Sequence, residues 1–236
     1  MKIGMFDSGI GGLTVLNSLI NKYPNHEYIY FGDTLHMPYG EKSKEEIIEY
    51  ANNIIKFLES NNVDIIIIAC GTVSSNIEYL KSNTKLIDII SPLKNKLDKY
   101  KKISILATPL SIKTNAFKKY INTKLNLVSC PMLVPIIESG NYSNLDKYLE
   151  EYLSSTLDSD ALILGCTHYP LIKNYIKKYY QGDIICLDDF IVDVVKELSK
   201  SKYNLELYFS KVDNETENNI KKILNNNKIV IERKCI

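Results

Sequence analysis

The sequence carries no surplus of charge of either sign: Lys and Arg together number 29, and Asp and Glu 28. A chain this close to neutral gives no electrostatic case for nucleic acid or an anionic membrane as partner. Long apolar runs are missing too. Stretches such as Ile65–Cys70 are far too short to cross a bilayer. The N-terminus, MKIGMFDSGIGG, reaches Asp7 before the apolar core of a secretion signal can build up. A cytoplasmic location is therefore expected. There is no CxxC pair. The five cysteines (Cys70, Cys130, Cys166, Cys186 and Cys235) are scattered and odd in number. That argues against a disulfide framework and against a structural zinc site. No flexible linker or low-complexity segment interrupts the chain.

What is present is ordinary globular material. With 236 residues, 45% hydrophobic and 24% charged, the chain can bury a real core in one large domain or two modest ones. Short apolar runs alternate with stretches of helical period, the pattern of βαβ units and parallel sheets. Lys2–Phe6, Tyr28–Phe31 and Ile65–Ala69 read as strands. Gly9, Gly11 and Gly12 lead into a helix carrying Leu13, Leu16 and Leu19. A second helix starts at Ser43, where Ser43 and Glu46 make a capping-box pattern and Ile47, Ala51, Ile54, Ile55 and Leu58 share one face. Helix resumes near Ser74.

The second half repeats this plan, with strands at Ile103–Ala107, Leu125–Ser129 and Ala161–Leu164 and a helix from Ser143. The strand starts Lys2 and Lys102 are 100 residues apart, and the strand-ending cysteines Cys70 and Cys166 are 96 apart. The order of elements and these offsets point to duplication, with a boundary near Ser91–Pro92. After a helix near Phe190–Leu198, the tail (LELYFS, a helix from about Asn214, then KIVIE) is expected to return to the first domain.

In open parallel sheets, ligands bind at the carboxyl ends of the strands. Four strand ends here carry small polar or reactive groups: Asp7-Ser8, Cys70-Gly71-Thr72, Thr108 to Ser111, and Cys166-Thr167-His168. A single cysteine in such a place reads as a small buried hydrophobe. Two at equivalent ends, each with a threonine close behind, reverse that reading. A thiolate takes a proton and a thiol gives one. Set on opposite sides of a carbon, the pair can remove a proton from one face and return it to the other, which is racemisation or epimerisation without a cofactor.

Magnitudes constrain the idea. A cysteine of pKa about 8.5 is only a few per cent thiolate at neutral pH. Each cysteine sits at or just before a helix N-terminus, an effect of roughly 0.3–2 kcal/mol that lowers the pKa by only about one. A further donor or base is required, and His168 beside Cys166 is a candidate. Mutual repulsion keeps both thiols from ionising, so the pair should hold one shared proton.

FDSGIGG (Phe6–Gly12), FGDT…PYG (Phe31–Gly40), ACGT (Ala69–Thr72), CPMLVPIIESG (Cys130–Gly140) and GCTHYP (Gly165–Pro170) follow one another in an order that resembles the glutamate racemase family, within the aspartate/glutamate racemase superfamily. The likeness covers about residues 1–189. It implies an α/β fold of two similar domains, parallel sheets flanked by helices, related by a pseudo-twofold with the active site in the cleft between them. The domains would be residues 1–92 plus about 205–236, and 93–204. It implies interconversion of L- and D-glutamate, the D-form feeding peptidoglycan, with no pyridoxal phosphate and no metal. Glutamate would be the small-molecule partner, and a homodimer is the assembly allowed for.

By the same likeness Cys70 deprotonates D-glutamate and Cys166 L-glutamate. Asp7 assists the first, His168 the second, and Glu138 supports His168. Ser8, Pro38, Tyr39, Gly40, Gly71, Thr72, Ser111 and Thr167 match positions that hold the substrate. Backbone N–H groups and small hydroxyls suit carboxylates. The sequence departs from the family pattern in four places. Gly71 replaces Asn, Ser111 replaces Thr, Asp188-Asp189 replaces Asp-Ser, and Pro92-Leu93 replaces Pro-Gly. Gly71 deletes a donor and an acceptor. It leaves open a racemase of aspartate or another amino acid, and a non-catalytic descendant that binds a small acid.

Blander readings stand beside these. The glycines at 9, 11 and 12 suggest a dinucleotide loop with Asp33 as its ribose acid, but the third glycine of that fingerprint falls on Thr14. Asp7 alone reads equally well as a helix cap, and Tyr39 as packing over a turn. His26 and His36 show no partner signal, and His26 is expected to be exposed. Cys130 and Cys186 are expected in the core.

Overall fold

The computed structural model describes residues 1–195 and 202–236. In chain order its elements begin β1 (Lys2–Asp7), α1 (Leu13–Lys22), β2 (Glu27–Gly32), α2 (Lys44–Ser60), β3 (Ile65–Ile68), α3 (Gly71–Ser74) and β4 (Lys85–Asp88). They continue β5 (Lys102–Ala107), α4 (Pro109–Lys113), β6 (Lys124–Ser129), α5 (Leu133–Glu138), α6 (Leu145–Leu153), β7 (Ala161–Leu164), α7 (Lys173–Ile176) and β8 (Asp183–Cys186). Last come α8 (Asp188–Val195), β9 (Asn204–Phe209), α9 (Asn214–Ile223) and β10 (Ile231–Arg233). The strands form two parallel sheets flanked by helices, one of six strands in the order β10-β9-β2-β1-β3-β4 and one of four in the order β6-β5-β7-β8.

The two halves share a plan down to register. Second, first, third and fourth strand lie side by side in both, and Ile3 pairs with Ile65 as Ile103 pairs with Ala161. Strands covered on both faces must be apolar throughout, and the central IIII of β3 and ALIL of β7 are buried at every residue. Alternate side chains then serve different cores. Ile3, Met5, Ile103, Ile105 and Ile163 join a continuous cluster that also takes in Leu93 and Ile191 and spans both sheets. Phe6, Ile66 and Ile68 pack under α2 with Ile54 and Ile55, while Leu106, Leu162 and Leu164 pack under α5 and α6 with Leu133 and Leu149.

Helix α2 begins as its sequence specifies: the Ser43 hydroxyl accepts from Glu46 N, and the Glu46 carboxylate accepts from Ser43 N. The tail does return to the first sheet, β9 pairing with β2. Some expectations shift. Helix resumes at Gly71 and already ends at Ser74, and the helix expected from Ser143 starts at Leu145. The helix expected over Phe190–Leu198 is seen as α8, and residues 196–198 lie outside the described residues. His26, expected in solvent, is buried, its ring edge-on to Tyr23 and Tyr28. Among the described residues no helix is long and apolar enough to cross a membrane.

Candidate active site

The carboxyl ends of β1, β3, β5 and β7 converge on one buried pocket. Cys70, Thr72, Cys166, Thr167 and His168 line it with Ser8, and the Pro38–Tyr39–Gly40 segment forms another wall. Both thiols are free and buried. Each opens a chain of polar groups that ends on a carboxylate. Cys70 Sγ donates to Ser8 Oγ at 3.5 Å, and that hydroxyl donates to Asp7 Oδ1 at 3.4 Å. Cys166 Sγ lies 3.7 Å from His168 Nδ1, and the other ring nitrogen is closely paired with Glu138 Oε1.

Asp7 stands behind Ser8 and also holds the turn that leads into α1. Its carboxylate accepts from Gly12 N at the head of α1 and from Ser8 N at 2.8 Å, and it also accepts from Thr167 Oγ1 across the cleft at 3.1 Å. The turn between β1 and α1 therefore touches the second sheet's site directly. A Cβ on Gly11 would collide with the His168 ring and stand 2.7 Å from Thr167 Oγ1. The glycine turn accommodates His168 and Thr167, and this, rather than a nucleotide phosphate, accounts for its bareness.

The electrostatics differ on the two sides. Burial, and then the charge of Asp7, push the Cys70 thiol well above its ordinary range. Helix-end assistance is limited to a backbone hydrogen bond from Val73, which with the Ser8 contact does not offset the burial, because α3 has only four residues and so little aligned dipole. At His168, burial opposes the charged form. The Glu138 carboxylate and Cys166 outweigh it, and the imidazole holds its proton well above the ordinary value.

The sign of a pH effect follows. His168 binds its proton more tightly in the folded chain, so the stabilisation is fully present below the unfolded value of about 6.5 and is lost as pH rises through the higher folded value. Glu138→Gln should cost about 1.5–3 kcal/mol below that lower bound, with a gap from the wild type that closes at alkaline pH. Thermal unfolding across a pH series checks this, and a gap that widened with pH would contradict it.

Not every expected residue reaches the pocket. Ser111 lies one step behind it: its hydroxyl is 2.9 Å from Thr108 Oγ1, which is 2.9 Å from Thr72 Oγ1. Thr108 lines the wall instead. Gly71 makes a close approach rather than a polar contact, since a Cβ there would lie 2.7 Å from the Gly165 carbonyl oxygen. Cys130, expected in the core, is buried but also lines the pocket. Its position in CPMLVPIIESG was the available signal. Glu138 lies behind His168 and borders a neighbouring cavity of about 360 Å³, with Thr34 and Lys211. Among the described residues no group of three or more His, Cys, Asp or Glu could hold a metal ion.

No protein-family model matches the chain. Whole-length relatives do. Glutamate racemase of Hydrogenobaculum sp. is 37% identical, covering 95% of this chain and 93% of its own. The Aquifex pyrophilus enzyme is 38% identical, covering 95% and 94%. The chain belongs to the glutamate racemase family. The crystal structure of glutamate racemase from Francisella tularensis in complex with D-glutamate superposes with a TM-score of 0.87 at 33% identity, covering 99% of this chain and 97% of that one. Membership makes the protein an isomerase of the racemase type. FDSGIGG and GCTHYP, two of the segments that resemble the family, are joined here by the Asp7–Thr167 hydrogen bond.

Proposed function

We propose that the protein interconverts L- and D-glutamate by cofactor-independent proton transfer at Cα, with Cys70 and Cys166 as the two bases, and that its D-glutamate supplies peptidoglycan. Cys70 takes the proton from D-glutamate and Cys166 from L-glutamate. The observation that carries this reading is the pair of free thiols on one buried pocket, each backed by its own carboxylate chain. The two chains suit an acid–base pair rather than two equal bases. Burial, and then the negative charge of Asp7, keep Cys70 in its thiol form, while His168 holds a proton on the Cys166 side. A pocket at rest thus carries a donor on one face, and the substrate's Cα–H can be taken from the other.

Ser8, Thr72, Thr167 and the Pro38–Tyr39–Gly40 wall hold the amino acid. Ser111 acts through Thr108, and Gly71 gives room for the two strand ends to meet. Residues 1–92 with about 205–236 form one domain and 93–204 the other, and the protein works as a homodimer in the cytoplasm. In D2O without added cofactor, L-glutamate should gain deuterium at Cα as its optical rotation decays. Aspartate and neutral amino acids should lag behind. A requirement for pyridoxal phosphate, or faster turnover of aspartate, would replace this reading.

A further inference from the structure

Asp33 closes β2 and is buried at 3% exposure, yet the mechanism does not use it. It stands directly beside the site, its backbone N–H donating to the Asp7 carbonyl at 3.0 Å. Its carboxylate gathers three side chains. Oδ2 accepts from the Tyr39 hydroxyl at 2.6 Å, Oδ1 accepts from the Ser210 hydroxyl at 2.7 Å, and His36 Nδ1 lies 2.9 Å from Oδ2. Each partner is itself fixed. Ser210 donates its N–H to the Gly32 carbonyl and its hydroxyl accepts from Leu35 N. The His36 ring stacks on Tyr50, centroids 4.2 Å apart. Tyr39 is fully buried and forms pocket wall with Pro38 and Gly40.

Buried carboxylates are retained in proteins when their oxygens are fully engaged, and here that engagement joins parts 177 residues apart in sequence. We propose that Asp33 is a positioning residue that ties the Pro38–Tyr39–Gly40 wall to the end of β9, so that the returning tail sets how tightly the pocket holds its amino acid. This rests on the assignment of the pocket as the glutamate site. Asp33 does not line the pocket and acts on it only through the Tyr39 phenol. An amide at position 33 has a single acceptor oxygen, so Asp33→Asn releases Tyr39 or Ser210 without changing the volume.

The test uses Asp33→Asn, Tyr39→Phe, their double variant and Ser210→Ala in the full chain. Asp33→Asn and Tyr39→Phe should each raise KM for glutamate about tenfold while kcat stays within about threefold. The double variant should do no worse than the poorer single one, because both break one link. Amide hydrogen exchange, which needs no substrate, should quicken across residues 34–42 in Asp33→Asn and Ser210→Ala, with β3 and β7 still protected. If Asp33→Asn does not fold, Tyr39→Phe and Ser210→Ala carry the same two readouts. An unmoved KM, a loss confined to kcat, additive effects in the double variant, or unchanged exchange would overturn the proposal. A wild-type chain that turns over no glutamate would instead defeat the functional assignment, leaving the exchange measurements to decide the tether.

Discussion

Cys70→Ala and Cys166→Ala should each lose racemisation by at least about a thousandfold while keeping the fold. Positioned acid–base groups contribute roughly 10²–10⁴ each, and a two-base inversion has no second route once one face lacks a donor. Water does not stand in readily, because the thiols sit at 4% and 7% exposure among buried side chains. The third thiol is a built-in control. Cys130 lines the same pocket, but its Sγ donates to the Val128 carbonyl at 3.5 Å, and among the described residues no carboxylate chain of the Ser8–Asp7 or His168–Glu138 kind stands behind it. Burial pushes its thiol up. Cys130→Ala should keep most of the rate. Initial rates from pure L- and pure D-glutamate measure all three, and survival of a tenth of the activity in either single-base variant would remove the two-thiol mechanism.

Much of this site was legible because it sits where the sequence is most constrained. β3 and β7 declare themselves as short runs with no polar residue, and the groups that follow them are at a topologically fixed place. α2 declares itself by its cap. The edge strands β4 and β8 are not legible because only their second halves, Ile87-Asp88 and Ile185-Cys186, are buried. An exposed start dilutes the apolar signal. Ser111 and Thr108 show a different limit. Both follow β5, and only the turn of α4 decides which hydroxyl faces the pocket and which supports it. The raised Cys70 thiol is not legible in the sequence for a related reason. Dipole arguments need helix length, and a sequence that merely resumes helical period does not reveal that α3 stops after one turn. His36 shows no partner signal because Asp33 lies three residues away in an irregular segment, where spacing carries no geometric meaning.

Gly71→Asn, which restores the side chain of the family pattern, should lower activity about a hundredfold rather than raise it. Read from sequence, Gly71 is a lost donor and acceptor. In the folded chain it is one of the points where the two halves meet: a Cβ there would lie 2.7 Å from the carbonyl oxygen of Gly165. A backbone oxygen cannot swing aside as a side chain can, so the end of β3 must part from the end of β7. Cys70 adjoins the first of these glycines and Cys166 the second, so the parting passes straight into the gap between the thiols. A misplacement of about 1 Å at reacting groups can cost about 10² in rate, and overpacking of this kind costs about 1–3 kcal/mol of stability. Gly71→Ala should show most of both losses, because the collision arises at Cβ and owes nothing to the amide. Comparing kcat/KM and melting temperature for the two variants separates steric from polar effects. An Asn variant more active than the wild type would mean that the missing amide, and not the approach of the two strand ends, limits this enzyme.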